Sequence, residues 1–186
     1  MTVSPLSLAV PVSLADFGSQ FDSFKKSAFR LELLEYFTIP EEQPFLKRYQ
    51  AGERNPPSGF NSEWTDIIKK AAQRDASITR VRVVRSPYHD YLKFEAAWGY
   101  SSNIAAGENI RAIDHAAMPF ESEVPVLKDF WLFDDSVCFL MEYDSVGRFL
   151  GVSRVLEQFV PLYVTFKSEL IKTSGDVRES QLWREL

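Results

Sequence analysis

Three short apolar runs follow one another closely between residues 129 and 155: DFWLFDD, VCFLMEYD and RFLGVSRV. The links between them are Asp134-Asp135-Ser136 and Asp144-Ser145-Val146-Gly147. Links this short join only antiparallel neighbours, so the segment reads as a three-strand meander. This meander fixes one side of the sheet, and the rest of the chain must build around it. Strand alternation puts Asp129, Trp131, Phe133 and Asp135 on one face of the first run and Phe130, Leu132 and Asp134 on the other. Aromatics packed this densely indicate core, and the two acids that follow indicate a hairpin turn. In the alternative reading, Asp134 converges with Glu95 or Glu108 to form a magnesium or general-base site.

Upstream of the meander the pattern changes period. SQFDSFKKSAFRLELLEYF carries Phe21, Phe24, Ala28, Leu31 and Leu34 at helical spacing and reads as one helix, capped by Asp16 or Ser19. IPEEQPFLKRYQ is broken by Pro40 and Pro44 before a short helical piece. AGERNPPSG is a loop by composition. NSEWTDIIKKAAQRD is a second long helix, capped by Asn61 or Ser62. ITRVRVVR is a strand by its β-branched content, and Pro87 ends it. YHDYLKFEAAWGY reads as a helix, NIRAID as a strand, and LEQFVPLYVTFKSELIKT as a closing helix. The expected architecture is therefore α/β (α+β): a single domain with a mixed sheet of about five strands, flanked by helices and ending in the antiparallel meander. The expected boundaries are a flexible arm over 1–15, the domain over 16–173 and a polar tail over 174–186.

Composition excludes several functions. The net charge of −5 supplies no overall positive field, so non-specific nucleic-acid binding is not expected. No apolar run reaches the roughly 20 residues of a membrane helix. The first residues hold Pro5 and Pro11 and no early Lys or Arg, unlike a secretory leader. One cysteine, Cys138, permits no intrachain disulfide, and a cytoplasmic location is expected. Phosphate-loop and dinucleotide glycine motifs are absent, and GYSSN lacks the second glycine of a nucleophile elbow. The element order resembles half of a phospholipase-D-like domain. That chemistry needs His-x-Lys, whereas the triplets here are His89-Asp90-Tyr91 and His115-Ala116-Ala117. One Cys and two His leave little from which to build a zinc site, so neither metal nor cofactor is expected.

The candidates that remain are arginines and acids. Alternation in ITRVRVVR places Arg80 and Arg82 on one face, about 7 Å apart, where they could clamp a phosphate or carboxylate. Alternatively they pair with Glu108, Asp134 or Asp135. Glu108 precedes the strand NIRAID and Arg111 lies within it, at the strand mouth, where the two could pair locally. Tyr91 and Glu95 lie one helical turn apart and could line a pocket beside the arginine strand. The ligand-binding candidates are thus Arg80, Arg82, Tyr91, Glu95, Glu108, Arg111 and Asp134. Cys138 reads as a small buried residue and His89 as a surface one.

FDSFKKSAFRLELLEYF, Trp64, RVRVVRSPYHDYLKFEAAW, AAGENIRAID, DFWLFDD and YDSVGRFLG together resemble an uncharacterised family of small actinobacterial proteins often encoded beside helix-turn-helix regulators. The GE-x-IR and DFWLFDD pieces carry most of that resemblance. It implies a regulatory or accessory role, and the first expectation is a cytoplasmic accessory domain that binds a partner protein or a small anionic ligand and acts with a transcriptional regulator. A homodimer is a further expectation open at this point. The alternative is a small-molecule transferase or hydrolase, set in a biosynthetic pathway, that uses the arginine–carboxylate cluster.

Overall fold

The computed structural model describes residues 8–119 and 123–186. Its strands are β1 (Ala9–Val12), β2 (Ser27–Glu32), β3 (Ser77–Val84), β4 (Asn109–Asp114), β5 (Phe130–Phe133), β6 (Val137–Tyr143), β7 (Phe149–Val155) and β8 (Gly175–Asp176). All eight form one mixed sheet in the order β1-β7-β6-β5-β2-β3-β4-β8. The α/β class and the meander β5-β6-β7 agree with the sequence reading. The sheet exceeds the expected five strands because β1, β2 and β8 escaped that reading.

The largest correction is at β2. The stretch read as one helix is two elements. Helix α1 (Leu14–Ser23) is capped by Ser13, whose hydroxyl accepts the Asp16 N–H, and it ends before Phe24. The next amides do not continue the helix. Those of Lys25, Lys26 and Ser27 donate to the Asp134 carboxylate at 2.8, 2.7 and 3.0 Å. Residues 27–32 then pair on both sides, parallel to β3 and antiparallel to β5. Phe, Arg, Leu and Glu tolerate a helix well, so here tertiary pairing overrides local preference.

The remaining helices are α2 (Gln43–Gln50), α3 (Ser62–Gln73), α4 (Asp90–Phe94), α5 (Ser101–Ala106), α6 (Val160–Thr173) and α7 (Gln181–Arg184). A π-helical turn, Glu95–Tyr100, joins α4 to α5 without leaving helical backbone. Helix α6 covers one sheet face, burying Tyr163, Phe166 and Leu170 against Phe29, Leu31, Val81 and Leu132. Cys138 is buried in this layer. The opposite face is covered by α1 and α3, through Phe17, Phe21, Ile68 and Ala71, and by the α4–α5 run, through Leu92 and Ala96.

Both ends of the described chain join the fold. Within the segment read as an arm, β1 pairs with β7 from Ala9 to Val12; residues 1–7 of that arm lie outside the described residues. The segment read as a polar tail supplies β8, which pairs with β4. Beyond it, Val177 and Leu182 are fully buried beside Tyr88 and Leu92.

Candidate functional site

Adjacent parallel strands place the polar cluster. Arg30 lies opposite Arg80, and Glu32 opposite Arg82, across β2 and β3. All four side chains share the face covered by α1, α3 and α4–α5, because residues two apart in a strand point the same way. Glu32 sits at the centre. Its Oε1 accepts from Arg30 Nε at 2.5 Å and Arg80 Nη1 at 2.9 Å, and its Oε2 accepts from Arg82 Nη1 at 3.2 Å. Three guanidiniums hold the Glu32 carboxyl far below the usual carboxylate range despite its burial.

Each arginine has a second anchor. Arg80 Nε donates to Glu108 Oε1 at 2.9 Å, and Trp64 Nε1 donates to Glu108 Oε2 at 3.0 Å. Arg82 is fully buried, pairs with Glu95 at 3.1 Å and reaches the Glu35 carbonyl at 3.4 Å. The Arg30 guanidinium lies 5.2 Å from the Trp131 ring and 5.9 Å from the Phe37 ring.

Above this floor is a cavity of about 330 Å³. Arg30, Glu32, Arg80, Tyr91, Glu95 and Tyr100 line it, with Trp64, Trp131, Phe60 and Phe37 among its aromatic walls. A second hollow, of about 540 Å³, shares Ile39, Glu42, Phe60, Asn61 and Trp64 with it. The size and the mix of apolar walls with few polar groups suit a small organic ligand. The π-helical turn forms one wall and contributes Glu95, Gly99 and Tyr100. π-turns inside helices occur often at functional sites.

The acids of the pocket do not ionise alike. Burial raises the Glu95 carboxyl from 4.5 to about 7, opposed by Arg82 and reinforced by the Glu32 charge. Burial likewise raises Glu42, although the Tyr91 hydroxyl donates to its Oε2 at 2.6 Å. Asp129, behind Arg30, is raised by burial to about 6; its Oδ1 accepts from the Leu33 N–H at 2.9 Å, and its Oδ2 has no hydrogen-bond partner. The Tyr100 hydroxyl is buried and also has no partner.

Of the sequence-predicted candidates, Arg80, Tyr91 and Glu95 line the cavity, and Arg82 and Glu108 stand directly behind, bonded to lining groups. Two do not belong. Arg111 points away and caps the end of α6, bonding the Ile171 and Ser174 carbonyls and the Ser174 hydroxyl. It makes no pair with Glu108. Asp134 holds the β2 entry amides, as described above, and pairs with neither arginine. The partners of Arg82 are therefore Glu32 and Glu95, not Glu108 or Asp134. Arg30, Glu32, Glu42 and Tyr100 were missed. For Arg30 and Glu32 a signal existed: in FRLE, polar residues alternate with Phe29 and Leu31, as in a half-polar strand.

Two simple chemistries have no support here. Burial pushes the Cys138 thiol up, beneath the opposite face of the sheet. His89 is exposed at the start of α4, where its Nδ1 accepts the Tyr91 N–H at 3.1 Å. Among the described residues, no three His, Cys, Asp or Glu side chains are placed to hold a metal ion, and no helix is long and apolar enough to cross a membrane.

No curated protein matches the chain. Among solved structures, it is similar to TrmBL2, an archaeal chromatin protein described as showing a novel mode of DNA binding, with a TM-score of 0.48 and 11% identity. The likeness covers 90% of this chain and 52% of that one, so the chain spans about half the length of that protein. A family model described as a domain of unknown function (DUF6879) matches residues 15–179, and the chain belongs to that family.

Proposed function

We propose that this domain is a ligand-binding module. It holds one small molecule bearing an anionic group in the pocket between the sheet and the π-helical turn, and it signals occupancy to a partner protein. The partner implied by the family resemblance is a helix-turn-helix regulator. One observation carries the reading. Arg30 and Arg80 are fixed and kept charged by Glu32 and Glu108, yet Arg30 Nη1 and Arg80 Nη2 have no protein partner and are not sealed off. Pre-positioned guanidinium edges at the floor of a cavity with aromatic walls favour a carboxylate or phosphate oxygen.

A second reading, a transferase or hydrolase, draws support from Glu95. A carboxyl raised to about 7 suits a general base. Neither histidine nor Cys138 reaches the pocket to act as a nucleophile, which favours binding over turnover.

The test uses Gly99, which lines the cavity and where an added Cβ meets nothing within 4 Å. Gly99→Leu fills the cavity from a helical backbone position. Native mass spectrometry of the protein from its own cells should show a bound small molecule that the variant lacks, while circular dichroism and a cooperative melt show that the variant is folded. Equal occupancy in both proteins, or none in either, would refute the proposal. Conversion of the released molecule by fresh protein would support the enzyme reading.

A further inference from the structure

Taking the pocket as a ligand site, as proposed above, we infer that its ligand is an aromatic zwitterion of the α-amino-acid type. Its carboxylate would sit on the Arg30–Arg80 edges, its ammonium on the Glu42–Glu95 side, and its ring against the aromatic walls.

Charge balance comes first. Arg30, Arg80 and Arg82 are matched within the cluster by Glu32, Glu95 and Glu108, and burial holds the two further carboxyls, Glu42 and Asp129, toward their neutral forms. The Arg30, Arg80 and Glu95 side chains are only 13, 10 and 14% exposed. A bare anion or cation entering such a balanced, poorly hydrated cluster would leave one charge uncompensated, which is costly at low dielectric. A zwitterion adds both signs and no net charge.

Unspent hydrogen-bonding groups come next. Arg30 Nη1 and Arg80 Nη2 are the donors that remain on residues facing each other across β2 and β3. Neighbouring strands lie about 4.8 Å apart, so one carboxylate can reach both. Glu42 spends only Oε2, on the Tyr91 hydroxyl, and Oε1 is left to accept from an ammonium. Independently, Tyr100 is a lining residue of the same cavity, and its hydroxyl is buried and without a partner, so a ligand would reach it only by a small side-chain shift. A buried, unpaired hydroxyl is costly unless a ligand satisfies it.

Shape comes last. Trp64 and Trp131 lie 5.7 Å apart, edge to face, and Phe60 adds a further wall. An aromatic ring packs well against such walls, and an ammonium gains from ring faces.

The experiment is calorimetric titration of the full chain with L-phenylalanine and L-tryptophan. Each is compared with 3-phenylpropanoate, which lacks the ammonium, phenethylamine, which lacks the carboxylate, and phenyl phosphate. The zwitterions should bind at least about tenfold more tightly than any single-charge analogue. Glu42→Gln should weaken phenylalanine about tenfold and leave phenylpropanoate unchanged, and Gly99→Leu should abolish binding of all the probes. Tighter binding by phenylpropanoate, phenyl phosphate or phenethylamine would overturn the inference, as would no binding by either zwitterion. If native protein nevertheless carries a small molecule that Gly99→Leu excludes, the ligand site stands and only this ligand class falls. If it carries none, both fall.

Discussion

Glu32 and Arg82 face each other in register across parallel strands β2 and β3, with Glu32 Oε2 3.2 Å from Arg82 Nη1 and both side chains buried. The same carboxylate also receives Arg30 and Arg80, so one acid organises three cations. Removing one partner of a buried pair costs about 3–5 kcal/mol, because the other charge is left without compensation. Arg82→Ala is expected to cost about that much and to lower the melting temperature by roughly 10 °C for a domain of this size. Glu32→Ala should cost more, since it removes a shared partner of three guanidiniums and the carboxylate that pairs with Arg30, while Arg80 and Arg82 keep Glu108 and Glu95. Thermal denaturation of both variants tests the ranking; an Arg82→Ala protein that melts like wild type would show that the cluster does not carry stability.

The pocket acids make stability depend on pH in a stated direction. Glu95 rises on folding from 4.5 to about 7, and Asp129 from 3.8 to about 6. Between those values the folded protein holds protons that the unfolded chain has released, so stability falls as pH rises from about 4.5 to 7. Arg82, Glu32, Arg80 and Glu42 all act on Glu95, and burial dominates the sum. Glu95→Gln should flatten the melting-temperature profile over pH 5–8. An equally steep decline in that variant would assign the slope to other groups.

Much of the site was legible wherever one strand carried it. The alternation in ITRVRVVR places Arg80 and Arg82 on a shared face, and helical spacing puts Tyr91 and Glu95 one turn apart, though spacing alone does not set that turn beside the arginines. What was lost follows from β2. Phe21, Phe24, Ala28, Leu31 and Leu34 mimic a helical stripe, but the stripe spans the end of α1 and a central strand. Arg30 and Glu32 therefore went unseen, and with them the centre of the charge network. Asp134 is a candidate by sequence, but its partners are amides 107–109 residues away, which no local pattern reveals.

The C-terminal segment behaves as core, because Val177 and Leu182 are fully buried in the layer holding Tyr88 and Leu92. Leu182→Ala should cost about 2–5 kcal/mol by cavity formation. Deleting residues 176–186 should cost at least as much, since it also removes Val177 and part of β8. Urea titration checks both. A truncated protein with an unchanged midpoint would show that the segment only rests on the surface.

Asp134 separates a structural acid from a site acid. Both Asp134 and Asp135 adopt positive φ, 50° and 52°, in the β5–β6 turn, a conformation that aspartate tolerates better than most residues. The backbone amides of Ser27, Lys25 and Lys26 hold the Asp134 carboxyl below its ordinary value in spite of partial burial. A lowered carboxyl stabilises the fold above its ordinary pKa, and that contribution is lost as pH falls through the folded value. Asp134→Ala removes three charge-assisted bonds at the start of β2 and should destabilise by about 1–3 kcal/mol, with the loss disappearing in strong acid. Asp134→Asn keeps an acceptor and should recover part of it. Neither change touches a group lining the pocket, so occupancy by the native small molecule should match wild type. A stable Asp134→Ala protein that had lost its ligand would place Asp134 in the functional site instead.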